Sequence, residues 1–386
     1  MGRRMMLFAG NSVKQVLAAK DNTRCVPLKF SSPTHCSTNE AISMRVLGLD
    51  IGGANIKAAT ESASALSLPF EIWRAPNRLV EIVTGIVERF PATELLAVTM
   101  TAELADCFQT KSDGIDYVLS SVQLAAGTRP VRVWQTSGEF VSPDEARDEP
   151  RLTAAANWHA QATFIGRLAP RGSAMLIDIG STTSDLIPLF DGIPQPQGLT
   201  DVARLQSGEL VYCGVRRTPL CALVERVPFQ DSDCTVAAEL FATTLDVYLT
   251  LGLIAEDPQD TATANGKPAT IRHAADRIAR LLCCDLTELT EADVLQVAKF
   301  VFEKQRLRLT QAAEGVASKL SSPCETVFVS GSGEFLAREV ASNTSALSNS
   351  KLVSLPELFG PSVADAACAF AVAKLAAERE LLFFGA

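Results

Sequence analysis

The chain has 386 residues, 47% of which are hydrophobic, and a formal net charge of −9 at pH 7. This length is enough for two domains with substantial cores. No apolar run approaches the ~18 residues that a membrane-spanning helix needs, and the dispersed negative charge disfavours nucleic acid or an anionic membrane as partner. The ten cysteines include no C-x-x-C pair and indicate reduced thiols, which predicts a cytoplasmic protein.

Residues 1–44 differ from the rest of the chain. They include MGRRMMLFAGNSVKQ and the polar stretch SSPTHCSTNEAIS, and they show no hydrophobic period. A secretory signal would need a longer apolar core and a clear cleavage site. We expect either a disordered extension or a start codon assigned too far upstream, with Met44 directly before the first predicted strand.

The first predicted strand, RVLGLDIG at 45–52, is apolar nearly throughout, which is typical of a buried central strand. Gly52-Gly53 then predicts a tight turn into a second strand, NIKAATE. The spacing of apolar residues predicts a helix at 77–90. The other elements predicted before residue 170 are strands at 67–73, 94–100 and 130–136 and an alanine-rich helix at 151–169.

The same pattern restarts at residue 173. SAMLIDIG at 173–180, a Gly-Ser-Thr-Thr turn and SDLIPLF at 184–190 repeat the hairpin. An insertion at about 198–290 separates this hairpin from the rest of its half. The elements predicted after it are a long helix at 293–320, a strand, glycine turn and helix at 326–337, a strand at 351–357 and a helix at 362–380.

The repeated order of elements resembles the actin-like ATPase superfamily, which includes sugar kinases, Hsp70 and actin. The resemblance implies an α/β fold of two duplicated ribonuclease-H-like domains that face a central cleft. We predict the first domain at 45–172 and the second at 173–386, with the insertion at about 198–290 serving substrate specificity. The first hairpin resembles the phosphate-1 motif, the second the phosphate-2 motif, and VFVSGSGEFL the adenosine motif.

Each hairpin combines a glycine turn with an aspartate at the end of its first strand, Asp50 or Asp178. A single such turn is more often an ordinary hairpin, but two copies, each followed by a second strand, and a later S-G-x-G favour the duplicated fold. Tight glycine turns expose N–H groups that bind anions, and two carboxylates across a phosphate chain can hold Mg²⁺ through water. We therefore predict Asp50 and Asp178 as catalytic metal ligands. The predicted phosphate- or diphosphate-binding residues are Gly52, Gly53, Asn55, Lys57, Gly180, Ser181, Thr182, Thr183, Gly331 and Gly333.

Two further segments carry catalytic candidates. Asp185 lies two residues beyond the second turn and is a candidate metal ligand or base. TMTAELADCF at 99–108 directly follows a predicted central strand, where open α/β sheets place ligand groups. This puts Glu103 among the catalytic candidates and Thr101 among the substrate contacts. The alternative is that this threonine and glutamate only cap a helix.

Adjacent arginines follow a glycine in VYCGVRRTP, within the insertion. Arg216 and Arg217 suit bidentate binding of a phosphate or carboxylate, and Glu209 of the preceding SGEL is a further substrate-binding candidate. A solvated surface pair is the alternative for the arginines. Cys213 beside them is expected to pack as a small side chain rather than to act as a nucleophile.

Longer motifs resemble a more specific family, the hydantoinase/oxoprolinase-related proteins of tetrahydromethanopterin-linked C1 transfer. They cover residues 46 to about 380 and include LIDIGSTTSDLIP, SGELVYCGVRRTP, FATTLDVYLTLG and DTATANGKPAT. The resemblance implies a transferase of methanofuran or methylofuran biosynthesis. Such an enzyme would condense an aminomethylfuran-methyl diphosphate with a tyramine- or tyrosine-type phenol and release diphosphate. It also implies Mg²⁺ as the cofactor and leaves the use of ATP open.

Other functions fit the same cleft. The family name suggests an ATP-dependent hydantoinase- or oxoprolinase-like hydrolase, and a small-molecule kinase would use the same loops. A non-catalytic, nucleotide-switched protein is a third alternative. The expected partners are small molecules, a furfuryl-type diphosphate and a phenolic amine or amino acid. We expect no nucleic acid or membrane partner, and a homodimer is left open.

Overall fold

The computed structural model of the chain describes residues 44–384. The prediction for the extension at 1–44 therefore lies outside the described residues, apart from Met44. The described residues form two compact units, one of residues 44–212 and 309–384 and the other of Cys213–Arg308. Among the described helices, none is both long and apolar enough to cross a bilayer. The domain boundaries given above stay a prediction.

The first sheet is formed by β1 (Val46–Ile51), β2 (Asn55–Thr60), β3 (Ala65–Pro69), β4 (Leu95–Met100), β5 (Val131–Trp134) and β6 (Phe140–Val141). Their order is β3-β2-β1-β4-β5-β6. β1 pairs antiparallel with β2 and parallel with β4, and every residue of β1 and β4 is buried. Burial on both faces explains why these strands read as continuous apolar runs. The strand predicted at 67–73 is displaced, because the chain already turns at 72–74.

The helices of this half are α1 (Leu79–Arg89), α2 (Lys111–Ala126), α3 (Pro143–Asp148), α4 (Pro150–Thr153) and α5 (Asn157–Gly166), with a 3₁₀ turn at Pro76–Arg78. α1 confirms the helix predicted at 77–90. The single helix predicted at 151–169 is wrong, because Ala155 adopts a φ of 48° and separates α4 from α5. Sequence reasoning missed α2, although Thr110 and Asp113 form a capping box at its start.

The second half opens on the predicted hairpin. Its elements are β7 (Ser173–Ile179), β8 (Ser184–Phe190), β9 (Ile193–Pro194), α6 (Asp201–Ser207) and β10 (Leu210–Val211). β7 and β8 pair antiparallel along the whole of β7 and so repeat the β1–β2 hairpin. α6 begins after its N-cap Thr200, whose hydroxyl accepts a hydrogen bond from the N–H of Ala203. It ends at Gly208 in the left-handed conformation.

Residues Cys213–Arg308 form the other compact unit. It contains β11 (Arg226–Phe229), β12 (Ser232–Thr235), α7 (Thr244–Thr250), α8 (Ile271–Leu281), the first part of α9 (Glu291–Ala317) and a 3₁₀ turn at Leu220–Ala222. β11 and β12 form an antiparallel hairpin. A buried ion pair joins α8 to α7, with Nε of Arg277 2.8 Å from Oδ1 of Asp246. α9 confirms the long helix predicted at 293–320.

The chain then completes the first unit. The remaining elements are β13 (Cys324–Ser330), α10 (Glu334–Asn343), a 3₁₀ turn at Ser345–Leu347, β14 (Lys351–Ser354), α11 (Leu355–Phe359), α12 (Pro361–Asp365) and α13 (Ala367–Phe384). β13 pairs in parallel with β7 and β14, which gives the order β10-β8-β7-β13-β14. This order matches β3-β2-β1-β4-β5 of the first sheet. The two sheets of shared order confirm the predicted α/β fold of the actin-like ATPases.

The last helix of each half packs against the sheet of the other half. α13, from the end of the second half, packs small side chains against β1 and β4. α5, from the end of the first half, packs Trp158, Ala162 and Ile165 against the second sheet. Buried alanines predominate where α13 packs, so the backbones approach closely there. The exchange explains why both sheets belong to one compact unit.

Gly48→Ala is expected to destabilise the protein. A Cβ at position 48 in β1 would lie 1.9 Å from the carbonyl oxygen of Ala369 in α13, and this backbone cannot rotate away as a side chain can. We expect a loss of about 1–3 kcal/mol in the free energy of unfolding, the usual cost of overpacking a core. Urea and thermal unfolding would measure this loss.

Gly85→Ala is the matched control, because nothing lies within 4 Å of a Cβ added at that position in α1. Alanine should stabilise the protein there by up to about 1 kcal/mol, since glycine is the poorer helix former. Equal stabilities of the two variants would mean that α13 does not approach β1 this closely.

Candidate active site

The turns of the two hairpins have the same backbone geometry. The N–H of Gly52 donates to the carbonyl of Asn55 at 2.9 Å, and the N–H of Gly180 donates to the carbonyl of Thr183 at 2.8 Å. A Cβ at Gly52 would lie 2.8 Å from that Asn55 carbonyl, so this position needs glycine, whereas Gly53 faces open space. Both turns therefore present accessible backbone where β1 and β7 end.

The two aspartates occupy matching places in the hairpins. Asp50 lies opposite Lys57 across β1 and β2, and Asp178 lies opposite Asp185 across β7 and β8. Lys57 and Asp185 are thus equivalent positions with opposite charges. The duplicated hairpins are alike in backbone, but the first contributes a cation and the second a further carboxylate.

Each aspartate has one carboxylate oxygen without a hydrogen-bond partner among the described residues. Asp50 is 8% exposed, and among the described residues neither its Oδ1 nor that of Asp178 has a hydrogen-bond partner. Burial raises the pKa of Asp50 to about 6, although Lys57 and Asn157 lower it. Burial and then Asp185 raise the pKa of Asp178 to about 6. Buried polar atoms normally have a partner, so these oxygens indicate a place for a ligand or cation.

Lys57 connects the two aspartates electrostatically. Its charge lowers the pKa of both Asp50 and Asp178, so its ammonium lies within electrostatic reach of both. Its Nζ is 3.2 Å from Oδ1 of Asp365 at the end of α12. Burial alone would lower the pKa of Lys57, but Asp365 and Asp50 outweigh burial and raise it. The lysine predicted to neutralise a phosphate is therefore a full cation held among carboxylates.

A set of polar side chains that sequence reasoning missed lies behind the aspartates. Nε2 of Gln161 donates to Oγ of Ser330 at 2.9 Å, and Sγ of Cys368 lies 3.3 Å from Oε1 of Gln161. Burial raises the pKa of Cys368 far above its usual value, and Asp50 and Asp178 raise it further. The charges of both carboxylates therefore act on one thiol.

The adenosine-like turn is joined to the second hairpin. Gly331 has a φ of 88°, and a Cβ there would lie 2.2 Å from the carbonyl of Ile179, so only glycine fits. The N–H of Gly333 donates to the same carbonyl at 2.8 Å. The Cβ at 331 would also lie 2.8 Å from Oδ1 of Asp178. The predicted loops of the second half therefore meet where β7 ends.

Hydroxyl groups border both turns. Ser181 and Thr182 are half-buried, with their hydroxyl oxygens 3.4 Å apart. In the first half, the N–H of Thr101 donates to the carbonyl of Ile51 at 2.9 Å. Oγ1 of Thr101 lies 3.6 Å from the position of a Cβ on Gly52. Thr101, a predicted substrate contact, is therefore placed beside the phosphate-1 turn.

Asp185 is held by Arg204, which sequence reasoning did not single out. Nη2 of Arg204 is 2.7 Å from Oδ1 of Asp185 and 3.2 Å from the carbonyl of Glu209. The guanidinium stacks on Trp158 at 3.8 Å and is 1% exposed. The carboxylate of Glu209 accepts the N–H of Gln197 at 2.7 Å and so holds the loop before α6.

Glu103 is a buried carboxyl with one unsatisfied oxygen. It is 1% exposed, and within the described residues its Oε2 has no hydrogen-bond partner. Burial raises the pKa of Glu103 to about 7; its own backbone N–H and Lys111 lower it, whereas Asp201 and Asp50 raise it. A carboxyl with such a pKa can accept or release a proton at neutral pH.

The two predicted arginines belong to the other compact unit, and the contacts above do not include them. Arg216 forms an ion pair with Asp260, and Arg217 is exposed. The loop that carries them is fixed at Gly214, whose carbonyl accepts a hydrogen bond from Gln305 at 2.9 Å. Arg216 therefore already has a carboxylate partner.

The donor set suits a hydrated cation rather than a fully protein-bound one. Within residues 44–384, no group of three or more His, Cys, Asp or Glu side chains could hold a metal directly. Asp50 and Asp178 each offer an unpartnered carboxylate oxygen. Mg²⁺ prefers such oxygen ligands and keeps several of its waters, so these residues fit it.

Comparison with known proteins places the chain among characterised relatives. The model of the family described as hydantoinase/oxoprolinase matches residues 94–379. A protein of Methanocaldococcus jannaschii named (4-{4-[2-(gamma-L-glutamylamino)ethyl]phenoxymethyl}furan-2-yl)methanamine synthase is 29% identical over 337 residues, which cover 86% of this chain and 98% of that protein. A protein of the same name from Methanococcus vannielii is 32% identical over 205 residues, which cover 53% of this chain and 90% of that protein.

A likeness to a solved structure concerns the fold alone. The nucleotide-free structure of acetone carboxylase, from work on ATP-dependent acetone carboxylation, has a TM-score of 0.50 to this chain. The two are 12% identical, and the match covers 86% of this chain and 70% of that chain.

Proposed function

The chain belongs to the hydantoinase/oxoprolinase family, and we propose that it is an ether-forming transferase of methanofuran or methylofuran biosynthesis. It joins an aminomethylfuran-methyl diphosphate to the phenol of a tyramine- or tyrosine-type acceptor and releases diphosphate. The observation that carries the proposal is the match along 98% of a relative whose name describes a phenoxymethylfuran product.

The reaction is a substitution at the furfuryl carbon. The bond between this carbon and the diphosphate oxygen breaks, and diphosphate leaves with the electron pair. The phenol oxygen forms the new carbon–oxygen bond, and its proton passes to a base. The furan ring stabilises positive charge at this carbon, so the leaving group can depart early and the acceptor needs mainly to be positioned.

The paired turns suit a departing diphosphate. The N–H groups of Gly52 and Gly180 already donate within their turns, so the donors to anionic oxygens would be the N–H groups of the residues that follow these glycines and the hydroxyls of Ser181 and Thr182. Lys57 supplies a positive charge. Mg²⁺, held through water by Asp50 and Asp178, would neutralise the charge that develops on the leaving group.

Glu103 is the better placed of the two candidate bases. Asp185 is committed to Arg204 at 2.7 Å, whereas Oε2 of Glu103 has no partner among the described residues. A pKa of about 7 leaves Glu103 partly ionised at neutral pH. A base needs a free lone pair and a suitable pKa, and Glu103 offers both.

An ATP-dependent hydantoinase-like hydrolase or a kinase could use the same turns, but the names of both relatives favour ether formation. Incubation with a furfuryl diphosphate and tyrosine or tyramine derivatives tests the proposal. We expect an ether by mass spectrometry and an equal amount of diphosphate. Phosphate or ADP from ATP, with no ether from any phenol, would support the hydrolase or kinase instead.

We also infer that the protein acts in the cytoplasm. The eight cysteines within the described residues are all free thiols, and free thiols persist in a reducing compartment. A reducing-agent titration that left the melting temperature unchanged would agree with this inference. Assembly as a homodimer stays a proposal for solution measurement.

Replacing the arginines of the insertion is expected to weaken binding of one substrate. A charge-assisted bidentate contact contributes about 1.5–3 kcal/mol, and lysine lacks the planar fork that forms it. At least one of Arg216→Lys and Arg217→Lys should raise the KM for one substrate by about tenfold. Kinetics with each substrate varied in turn would identify the affected substrate. Unchanged KM values in both variants would place the two arginines outside the substrate site.

A further inference from the structure

An ion pair joins the two halves next to Glu103. Nζ of Lys111 lies 3.7 Å from Oδ2 of Asp201. Lys111 is the first residue of α2, in the first half, and Asp201 is the first residue of α6, in the second half. The side chains are 37% and 29% exposed, so solvent and small molecules reach both charges.

The pair is loose compared with its neighbours. Arg204 and Asp185 approach to 2.7 Å in the same unit, whereas 3.7 Å is longer than a normal hydrogen bond. Lys111 also stands at the N-terminus of α2, where the helix dipole disfavours a cation. Helix stability therefore does not explain this lysine, and each charge can be shared with a ligand.

Glu103 connects this ion pair with the proposed catalytic site. Its backbone packs against α2, because a Cβ on Gly114, one turn after Lys111, would lie 2.2 Å from the carbonyl oxygen of Glu103. The charges of Lys111, Asp201 and Asp50 also affect the pKa of its carboxyl. Its buried Oε2 has no partner in the described residues. The residues that follow Glu103 and Asp201 are Leu104 and Val202, and both are apolar and 65% exposed. The start of α2 therefore brings two opposite charges near an unsatisfied carboxyl, and an exposed apolar residue directly follows both Glu103 and Asp201 in the chain.

We propose that Lys111 and Asp201 bind the zwitterionic end of the acceptor, with Lys111 on its carboxylate and Asp201 on its ammonium, while its phenol reaches Glu103. This inference rests on the proposed function. A tyrosine-type acceptor carries one carboxylate, one ammonium, an apolar ring and a phenol, which matches the four kinds of group at this place. The pair would then select among phenols by the charges that they carry.

Three phenols that differ only in charge test the proposal. Tyrosine is a zwitterion, tyramine carries only the ammonium, and 3-(4-hydroxyphenyl)propionate carries only the carboxylate. Lys111→Gln should lower kcat/KM about tenfold or more for tyrosine and the propionate but not for tyramine. Asp201→Asn should lower it similarly for tyrosine and tyramine but not for the propionate. Calorimetric binding of each phenol in the absence of diphosphate should show the same pattern.

Arg45→Gln is the matched control, because it removes one cation from an exposed ion pair with Glu94 elsewhere in the same unit. It should leave all three phenols unaffected. Equal losses for all three phenols in Lys111→Gln, or no loss, would overturn the inference. If the wild-type protein makes no ether from any phenol, the proposed function fails, and calorimetry still decides this inference. The inference is then supported if each variant loses binding only of the phenols that carry the opposite charge to the residue removed. It is overturned if the change in binding does not depend on the charge of the phenol.

Discussion

Asp50→Asn and Asp178→Asn are each expected to abolish turnover while the protein stays folded. Each aspartate ends a central strand, and each keeps one buried oxygen without a partner among the described residues. If these carboxylates hold a cation, as proposed, removing the charge would leave the departing diphosphate without it. Such stabilisation contributes several kcal/mol, and each 1.4 kcal/mol is tenfold in rate, so we expect losses of about 10³-fold or more. Steady-state kinetics at saturating Mg²⁺ would measure them.

The folded state should tolerate both changes. Burial raises the pKa of each carboxyl to about 6, which means that the charged forms destabilise the folded protein at neutral pH. Asparagine removes that buried charge without changing the size of the side chain. In the absence of Mg²⁺ we therefore expect melting temperatures equal to or above that of the wild type, so lost activity cannot be attributed to unfolding.

The double variant distinguishes one shared site from two separate ones. If both carboxylates serve one cation, the double variant should lose little more than either single variant, because the unit fails once either member is gone. Asp148→Asn, at an exposed position at the end of α3, is the control and should keep full activity. Near-normal turnover of either single variant at limiting Mg²⁺ would contradict the paired-turn site.

The fold could be predicted because its central strands are buried on both faces and each runs into an Asp-x-Gly turn. Burial gives continuous apolar runs in β1 and β7, and the turn chemistry marks where each run ends. The repetition then identifies two equivalent sheets. α2 escaped prediction because its buried positions include glycine and serine as well as apolar residues, which weakens the helical period.

Much of the candidate site could not be predicted, because its contacts join residues far apart in the chain. Lys57 and Asp365 are 308 positions apart, and nothing local to either residue indicates the other. Arg204 looks like an ordinary helix residue until tertiary packing buries it between Asp185 and Trp158. Sequence patterns report local geometry and burial, whereas partners of this kind depend on the exchange of helices between the two sheets.

Glu103→Gln is expected to lower kcat by about 10²–10⁴-fold, the usual contribution of a positioned base. Glutamine keeps the shape of the side chain but cannot take the phenol proton. The substitution should also remove the pH dependence of kcat that this base causes. The base must be ionised to act, and its pKa is about 7, so the wild-type kcat should rise as pH increases through about 7 and then level off. Initial rates from pH 5.5 to 9 would measure both effects.

Stability supplies an independent readout of the same ionisation. Burial raises the pKa of Glu103 in the folded state above its usual value, so the folded state prefers the protonated form. The stability that the protonated Glu103 contributes to the folded state is fully present below pH ~4.5 and is lost as pH rises towards about 7. Glu103→Gln should remove this loss and raise the free energy of unfolding at pH 8, relative to wild type, by on the order of 3 kcal/mol. Slow turnover together with this gain would identify Glu103 as a functional carboxyl kept at a cost to stability. If the variant kept full activity and the rising limb of its pH profile, the base would have to be another group, with Asp185 the next to test.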